Sequence, residues 1–256
     1  MEANRIKHEP RFRVKYPTEL RGFVFEISED DPAWPELKKR IGNEHTYTNT
    51  SFTEKEVLDS EWCIIWGTHS VEALRPEGYG WHQEYYADQC SKCGVGWRQI
   101  APFRIKEEPK LGKNQFSGFE LFCTPLVLDI FKQHNINGFE IQPIILNKEN
   151  RPIESLKQII VTEIAEAAVA EELVERERYS QTDCVICGQT WHSHYVRGIL
   201  PLRKTALKPN VDFQLTNEWF GSGANARHEI LVSQRVVRLI LENKWKGAEL
   251  IPIQAV

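Results

Sequence analysis

The 256-residue chain has no run of 18 or more apolar residues, which excludes a membrane-spanning helix. Its opening, MEANRIKHEP, is charged and carries no apolar segment, so no secretory signal is expected. The chain therefore reads as cytoplasmic, with its thiols reduced. It lacks a strong charge of either sign as well. Lys and Arg number 32 against 36 Asp and Glu, a net charge of -4, which speaks against a protein whose main affinity is for phosphate backbones. Phosphate-cradling motifs are missing too: Gly221-Ser222-Gly223 has neither a GKS/T nor a GxGxxG context and reads as a loop tip. What remains is ordinary globular material. With 41% apolar residues and eight Trp, the chain can build a solid core in one large domain or two small ones.

Chemistry concentrates in the cysteines. Cys90-Ser91-Lys92-Cys93 and Cys184-Val185-Ile186-Cys187 are two CxxC pairs, each followed at once by glycine, Gly94 and Gly188. In a zinc knuckle the backbone turns its amides toward the sulfurs, and the residue after the second Cys often needs positive φ, which glycine adopts freely. A redox CxxC would instead open a helix after an apolar strand. The segments before these pairs, Tyr85 to Gln89 and Tyr179 to Asp183, are polar and turn-like, which favours metal. Two separate metals would need extra ligands, and only the second pair has them close downstream, at His192 and His194; the first has only His82 upstream. The asymmetry points to one structural Zn2+ held by Cys90, Cys93, Cys184 and Cys187, with two metals as the alternative. Such a site would clamp together segments more than 90 residues apart, so chelation is expected to loosen the whole fold. His82-Gln83-Glu84 before Cys90 imitates a zinc-deaminase signature, but a five-residue gap has no room for the helix that separates its halves. Cys63 and Cys123 stand in apolar surroundings and read as buried core thiols.

The chain also repeats itself. CxxCGxxW gives Trp97 and Trp191 at an offset of 94. Further on, Thr124 to Phe131 matches Ser233 to Ile240, and Gly138-Phe139-Glu140 to Ile144 matches Gly247-Ala248-Glu249 to Ile253, at an offset of 109. About fifteen extra residues therefore lie between tryptophan and helix in the second copy. Thr124 and Ser233 are N-cap candidates, and Pro125 sits at the first helical position. Apolar residues at 127, 130 and 131, and at 236, 237, 240 and 241, give each helix one buried face. Strands are expected at Phe139 to Leu146 and Ala248 to Ile253.

The expected class is α+β, internally duplicated, with knuckle–strand–helix–strand units sharing one four-cysteine zinc site. Residues 1–89 form an N-terminal α/β extension packed on the first repeat, with a strand at Phe23 to Ile27, a helix near Trp34 to Ile41 and an apolar element at Trp62 to Trp66. Residues 90–153 are the first repeat and 184–256 the second. Between them, 154–183 is a connecting helix, rich in Glu and Ala, about 36 Å long if 24 residues are continuous. Its β-branched start, Ile159-Ile160-Val161-Thr162, has a strand as the alternative.

The duplicated CxxCG with its closely following tryptophan resembles the double-CXXCG family of bacterial proteins. The likeness rests on Cys90, Cys93, Gly94 and Trp97, on Cys184, Cys187 and Gly188, and on the helix, glycine and strand of Val232 to Ile253. Members of that family are regarded as immunity proteins that neutralise toxins of the same or sibling cells. The resemblance implies a non-catalytic inhibitor whose partner is a cognate toxin protein, with no small-molecule substrate and no membrane. Candidate contact surfaces are the acidic stretch 26–61, with ten acids against four bases, and the connecting helix at Glu166, Glu171, Glu172 and Glu175.

Two other classes compete. A zinc-ribbon-type nucleic-acid-binding protein would use Arg98, Arg104, Arg197, Arg203, Lys204 and Lys208, with Trp97, Trp191 and Tyr195 for stacking; the negative charge makes it the weaker reading. An enzyme would need an open metal position, and His192-Ser193-His194 is its one tempting cluster.

Overall fold

A computed structural model describes residues 31–41, 50–68, 84–118, 120–174, 181–193, 195, 198–221 and 225–256. The chain divides into two compact units, 1–48 and 49–256. In the first, α1 (Trp34–Ile41) forms where a helix is expected. Asp31 starts it, accepting the Ala33 N–H on its carboxylate and the Trp34 N–H on its carbonyl, each at 2.8 Å. The anticipated strand at Phe23 to Ile27 lies outside the described residues.

Residues 49–256 are mixed α/β and mostly strand. One five-stranded sheet contains β4 (Arg104–Ile105), β5 (Phe116–Ser117), β6 (Phe122–Cys123), β7 (Phe139–Leu146) and β8 (Arg151–Val161), in the order β4-β7-β8-β6-β5. The other contains β1 (Trp62–Gly67), β11 (Leu200–Leu202), β12 (Phe213–Leu215), β14 (Ile230–Ser233) and β15 (Ala248–Ala255), in the order β11-β15-β1-β14-β12. Each sheet curls into a half-barrel. The two sheets match strand for strand: one outer pair is parallel (β4 on β7, β11 on β15) and every other pair is antiparallel.

Register shows where the central strands come from. Lys157 of β8 faces Pro143 and Cys123, and Cys63 of β1 faces the equivalent Pro252 and Val232. Val161 faces Phe139 as Gly67 faces Ala248. The tail of β8 therefore corresponds to β1 at an offset of 94, the offset of the cysteines. Each of these strands precedes its own knuckle along the chain yet completes the sheet of the opposite half. Residues 62–67 thus supply the middle of the second sheet, while their Cys63 and Ile65 share a core with Phe116 and Cys123 of the first repeat.

Further along, the offset becomes 97 at β5 and β12 (Phe116 and Phe213) and 109 at β6 and β14 (Cys123 and Val232). Most of the surplus in the second half is therefore a loop, 216–229, between β12 and β14. It carries β13 (Trp219–Phe220), which joins β10 (Thr190–His192) and β9 (Gln181–Asp183) in a small sheet, while β2 (Tyr86–Ala87) and β3 (Arg98–Gln99) form its counterpart at the first knuckle.

Two matching helices, α3 (Pro125–Gln133) and α4 (Gln234–Glu242), lie on a core shared by both sheets; a short helix, α2 (Glu54–Asp59), adds Val57 to it. Cys63, Ile65, Phe116, Cys123, Val127, Phe131, Ile159, Phe213, Val232, Val236 and Ile240 are all sealed there. Cys63 and Cys123 are the inert core thiols expected, and burial pushes the Cys63 thiol up to about 12. Thr124 and Ser233 have the extended backbone of N-caps, but their hydroxyls donate to Gln115 Oε1 and Asp212 Oδ1, each at 2.6 Å, rather than capping their helices. After each helix comes a glycine at positive φ, Gly138 at +92° and Gly247 at +88°. A Cβ on Gly138 would strike the Phe213 carbonyl of the second half, and one on Gly247 the Phe116 carbonyl of the first. The close approach is reciprocal, as a pseudo-twofold requires.

The connecting helix does not form among the described residues of 154–183. Residues 151–161 are β8, and 162–174 are an extended strap with one 3-10 turn at Glu171–Leu173. Two effects override the Glu/Ala helix propensity. First, β8 finds partners on both sides, β7 and β6. Second, Ala165, Ala168 and Ala170 are buried where the strap lies along the second sheet, bridging Ile164 to Leu215 and Val169 to Leu202. The buried residues Ile153, Leu156 and Ile159 are three apart, a helical spacing. In β8 that spacing arises from a register break, since Pro143 faces Lys157 while Ile145 faces Pro152.

Candidate metal centre

Each CxxCG folds as the same tight turn. In the first, the Cys90 N–H donates to Val95 O at 2.9 Å and the Gly94 N–H to Cys90 O at 2.8 Å. In the second, the Cys184 N–H donates to Gln189 O and the Gly188 N–H to Cys184 O, both at 2.9 Å. Gly94 and Gly188 take the positive φ expected of them, +76° and +70°. The turns aim amides at sulfur. The N–H groups of Cys93 and Lys92 hold the Cys90 thiol down to about 6, and those of Cys187 and Ile186 lower Cys184 in the same way. Burial lifts Cys93 to about 12 against the single Val95 N–H. For Cys187 the Gln189 N–H pulls down, but burial and the neighbouring thiols Cys90 and Cys184 carry it above the ordinary value.

The structure brings all four cysteines together. Cys90 Sγ lies 3.8 Å from Cys184 Sγ and Cys93 Sγ 3.8 Å from Cys187 Sγ, with all four sulfurs within 4.8 Å of one another. A tetrahedral ion with metal–sulfur bonds of ~2.3 Å has sulfur–sulfur edges of about 3.8 Å, so these residues fit one metal ion such as zinc. The donor set, two thiolates from each knuckle, is complete without an outside ligand.

His192 is not one of the four. It is buried on β10 with its ring 5.7 Å from Phe220, and burial lowers its pKa. Its first-half equivalent, Arg98, is exposed and paired to Asp88 at 2.9 Å. His82 and His194 lie outside the described residues.

What the sequence does not announce is the packing beside the four sulfurs. Val95, Trp219 and Ala226 form a small core flanked by Cys93, Trp97 and Trp191. Trp97 donates its indole N–H to Ala226 O at 2.6 Å and meets Trp219 edge-on at 5.5 Å. Trp219 in turn faces Trp191 across the β10–β13 pair. The surplus loop of the second half therefore lies against both knuckles. Its Glu218 also fixes the strap, accepting the Ala168 and Val169 N–H groups at 2.6 and 2.8 Å. A cavity of about 460 Å³ opens between strap, loop and knuckle, lined by Glu171, Glu172, His192, Arg203 and Glu218 among others.

Of the acidic contact candidates, Glu166 and Glu171 are exposed on the strap, Glu172 is exposed and paired to Arg203 at 2.7 Å, and Glu175 lies outside the described residues. The basic candidates are largely engaged: Lys204 with Glu61 at 2.6 Å, Lys208 with Glu163 at 2.7 Å, and Arg104 with Asn147 and Asn150 at 2.8 and 2.7 Å. Arg197 lies outside the described residues. No family model matches the chain, and no curated protein matches it either. No helix among the described residues is long and apolar enough to cross a membrane.

Proposed function

We propose that the chain is a non-catalytic inhibitor of the immunity type, which neutralises a bacterial toxin protein by binding it on a scaffold clasped by one structural zinc ion. Cys90, Cys93, Cys184 and Cys187 would hold that ion. The observation that carries the reading is the convergence of two CxxCG knuckles on one complete four-sulfur set. The four cysteines that the resemblance to the double-CXXCG family includes meet in space. Zinc with four thiolates is closed, so it stabilises without offering a position for substrate. The matching sheets support descent of the two halves from one duplicated unit.

Binding would then be a matter of complementary surface. The strap presents Glu166 and Glu171, suited to a basic partner, beside the Glu172–Arg203 pair. The second knuckle adds an apolar tip: Val185 and Ile186 are 90% and 67% exposed where the first knuckle has Ser91 and Lys92. Affinity purification of the tagged chain from its host, with a zinc assay on the same sample, tests the proposal. One zinc per chain and a stoichiometric partner carrying a toxin domain are expected, and Glu171→Lys with Glu172→Lys should weaken recovery of that partner. Recovery of no protein at stoichiometric level would reject the inhibitor reading. Retention on DNA or RNA at low salt would favour a zinc-ribbon-type binder instead, although Arg203, Lys204 and Lys208 already have acidic partners.

A further inference from the structure

The four sulfurs differ in access: Cys187 is exposed and Cys184 buried, with Cys90 and Cys93 between. Two equal approaches of 3.8 Å cross between the halves, Cys93 to Cys187 on the exposed side and Cys90 to Cys184 on the inner side. A bound metal ion makes all four sulfurs thiolates, so protonation no longer ranks them. Access does: a shielded sulfur meets fewer electrophiles.

We propose that Cys187 and Cys93 are an oxidative modification site, a pair that a hydroperoxide converts to a disulfide with release of the metal; the proposal rests on the metal-centre reading above. The Cys187 thiolate attacks one peroxide oxygen, forming a sulfur–oxygen bond and breaking the oxygen–oxygen bond. The departing oxygen takes a proton and leaves as water or alcohol. The Cys93 thiolate then attacks the Cys187 sulfur; a sulfur–sulfur bond forms, the sulfur–oxygen bond breaks, and the hydroxide is protonated to water. Two thiolates have lost two electrons, the peroxide has gained them, and the metal keeps its charge. Only Cys90 and Cys184 then remain as ligands, half of a tetrahedral set, and the ion departs. The clasp between the knuckles is thereby a reversible one, reset by a dithiol.

The test uses the full zinc-loaded chain with hydrogen peroxide and a chromogenic chelator, followed by alkylation and peptide mapping. The expected result is loss of the bound zinc in step with a Cys93–Cys187 cross-link, both reversed by dithiol reductant. Zinc loss accompanied instead by Cys90–Cys93 or Cys184–Cys187 cross-links overturns the pairing. Zinc retained while a free thiol in the same tube is oxidised overturns the switch. Substoichiometric N-ethylmaleimide on the loaded protein gives an independent readout without any variant: Cys187 should be labelled ahead of the other three ligands, and even labelling contradicts the ranking. A chain that takes up no zinc overturns the metal centre and this proposal together, an outcome distinct from either failure above.

Discussion

Treating the zinc-loaded protein with excess chelator should speed hydrogen exchange at the Cys90, Gly94, Cys184 and Gly188 amides while leaving those of β1, β8 and β14 protected. The knuckle amides are bonded only within their own turns. The apolar support beside them is three buried residues, Val95, Trp219 and Ala226. At ~1.5–3 kcal/mol for each large side chain buried, that small core supplies roughly 5 kcal/mol. A structural zinc ion contributes apparent values of about 10–16 kcal/mol in zinc-finger peptides, so a bound zinc ion would be the larger share of what keeps the knuckles closed. The shared core is another matter. It holds seventeen buried residues among the described ones and is threaded by a central strand from each half, so it has no need of the clasp. The sequence leads one to expect that chelation loosens the whole fold; the crossed strands confine the effect to the knuckles. Fluorescence of Trp97, Trp191 and Trp219 should change with the knuckle amides. Exchange accelerating everywhere at one chelator concentration would refute the argument, and so would knuckle amides that stay protected once zinc is gone.

Other consequences of the architecture can be measured on single variants. Gly138→Ala and Gly247→Ala should each lower stability by ~2–4 kcal/mol in urea titrations, since both meet a carbonyl of the opposite half at positive φ; a large cost at one and none at the other would contradict the pseudo-twofold. Phe131→Ala removes a buried ring that meets Phe139, Phe213 and Trp245 at 5.7–6.0 Å and should cost ~3–5 kcal/mol. Leu126→Ala, on the exposed face of α3, should stay within ~0.5 kcal/mol, and similar values for the two would place the core wrongly. Burial, ahead of any neighbouring charge, holds the His228 pKa below its ordinary 6.5, with the ring 4.0 Å from Trp219. A folded value below the unfolded one means a stabilisation present above pH 6.5 and lost as pH falls through the folded value. Melting temperature should therefore decline below pH 6.5 less steeply in His228→Gln than in the parent protein, and parallel profiles would remove His228 as a cause.

The legible parts of the fold were those governed by local chemistry. Pro125 and the apolar face of 127, 130 and 131 place α3 where it is found, and the recurrence of Gly, Glu and Pro places β7 and β15. The knuckles announce themselves because glycine after CxxC has a conformational reason to be there. The strand equivalence of β1 and β8 was not legible, since aligned pairs such as Cys63 with Lys157 and Ile64 with Gln158 share no chemistry. Only the tertiary partners impose a common role on them. The strap failed for a related reason. Its alanines look like helix formers but serve as small residues that let backbone lie close to backbone. The packing beside the metal was hidden in a number, the surplus of residues in the second copy, whose location only the register reveals.

That surplus also shows which half of the site has been specialised. A strictly twofold molecule would have two identical flanks to the metal, each with an exposed Arg98-like residue and a short turn between the equivalents of β5 and β6. The 216–229 loop removes the symmetry. It buries His192 at the position where the first half exposes Arg98, seats Trp219 between Trp97 and Trp191, and uses Glu218 to hold the strap over a cavity. A loop added only for stability would pack inward and stop. This one builds a rim that carries Glu171 and Glu172, beside the one knuckle whose tip is Val185 and Ile186 rather than Ser91 and Lys92. Polar rim and apolar tip therefore lie on the same half, the arrangement an interface needs.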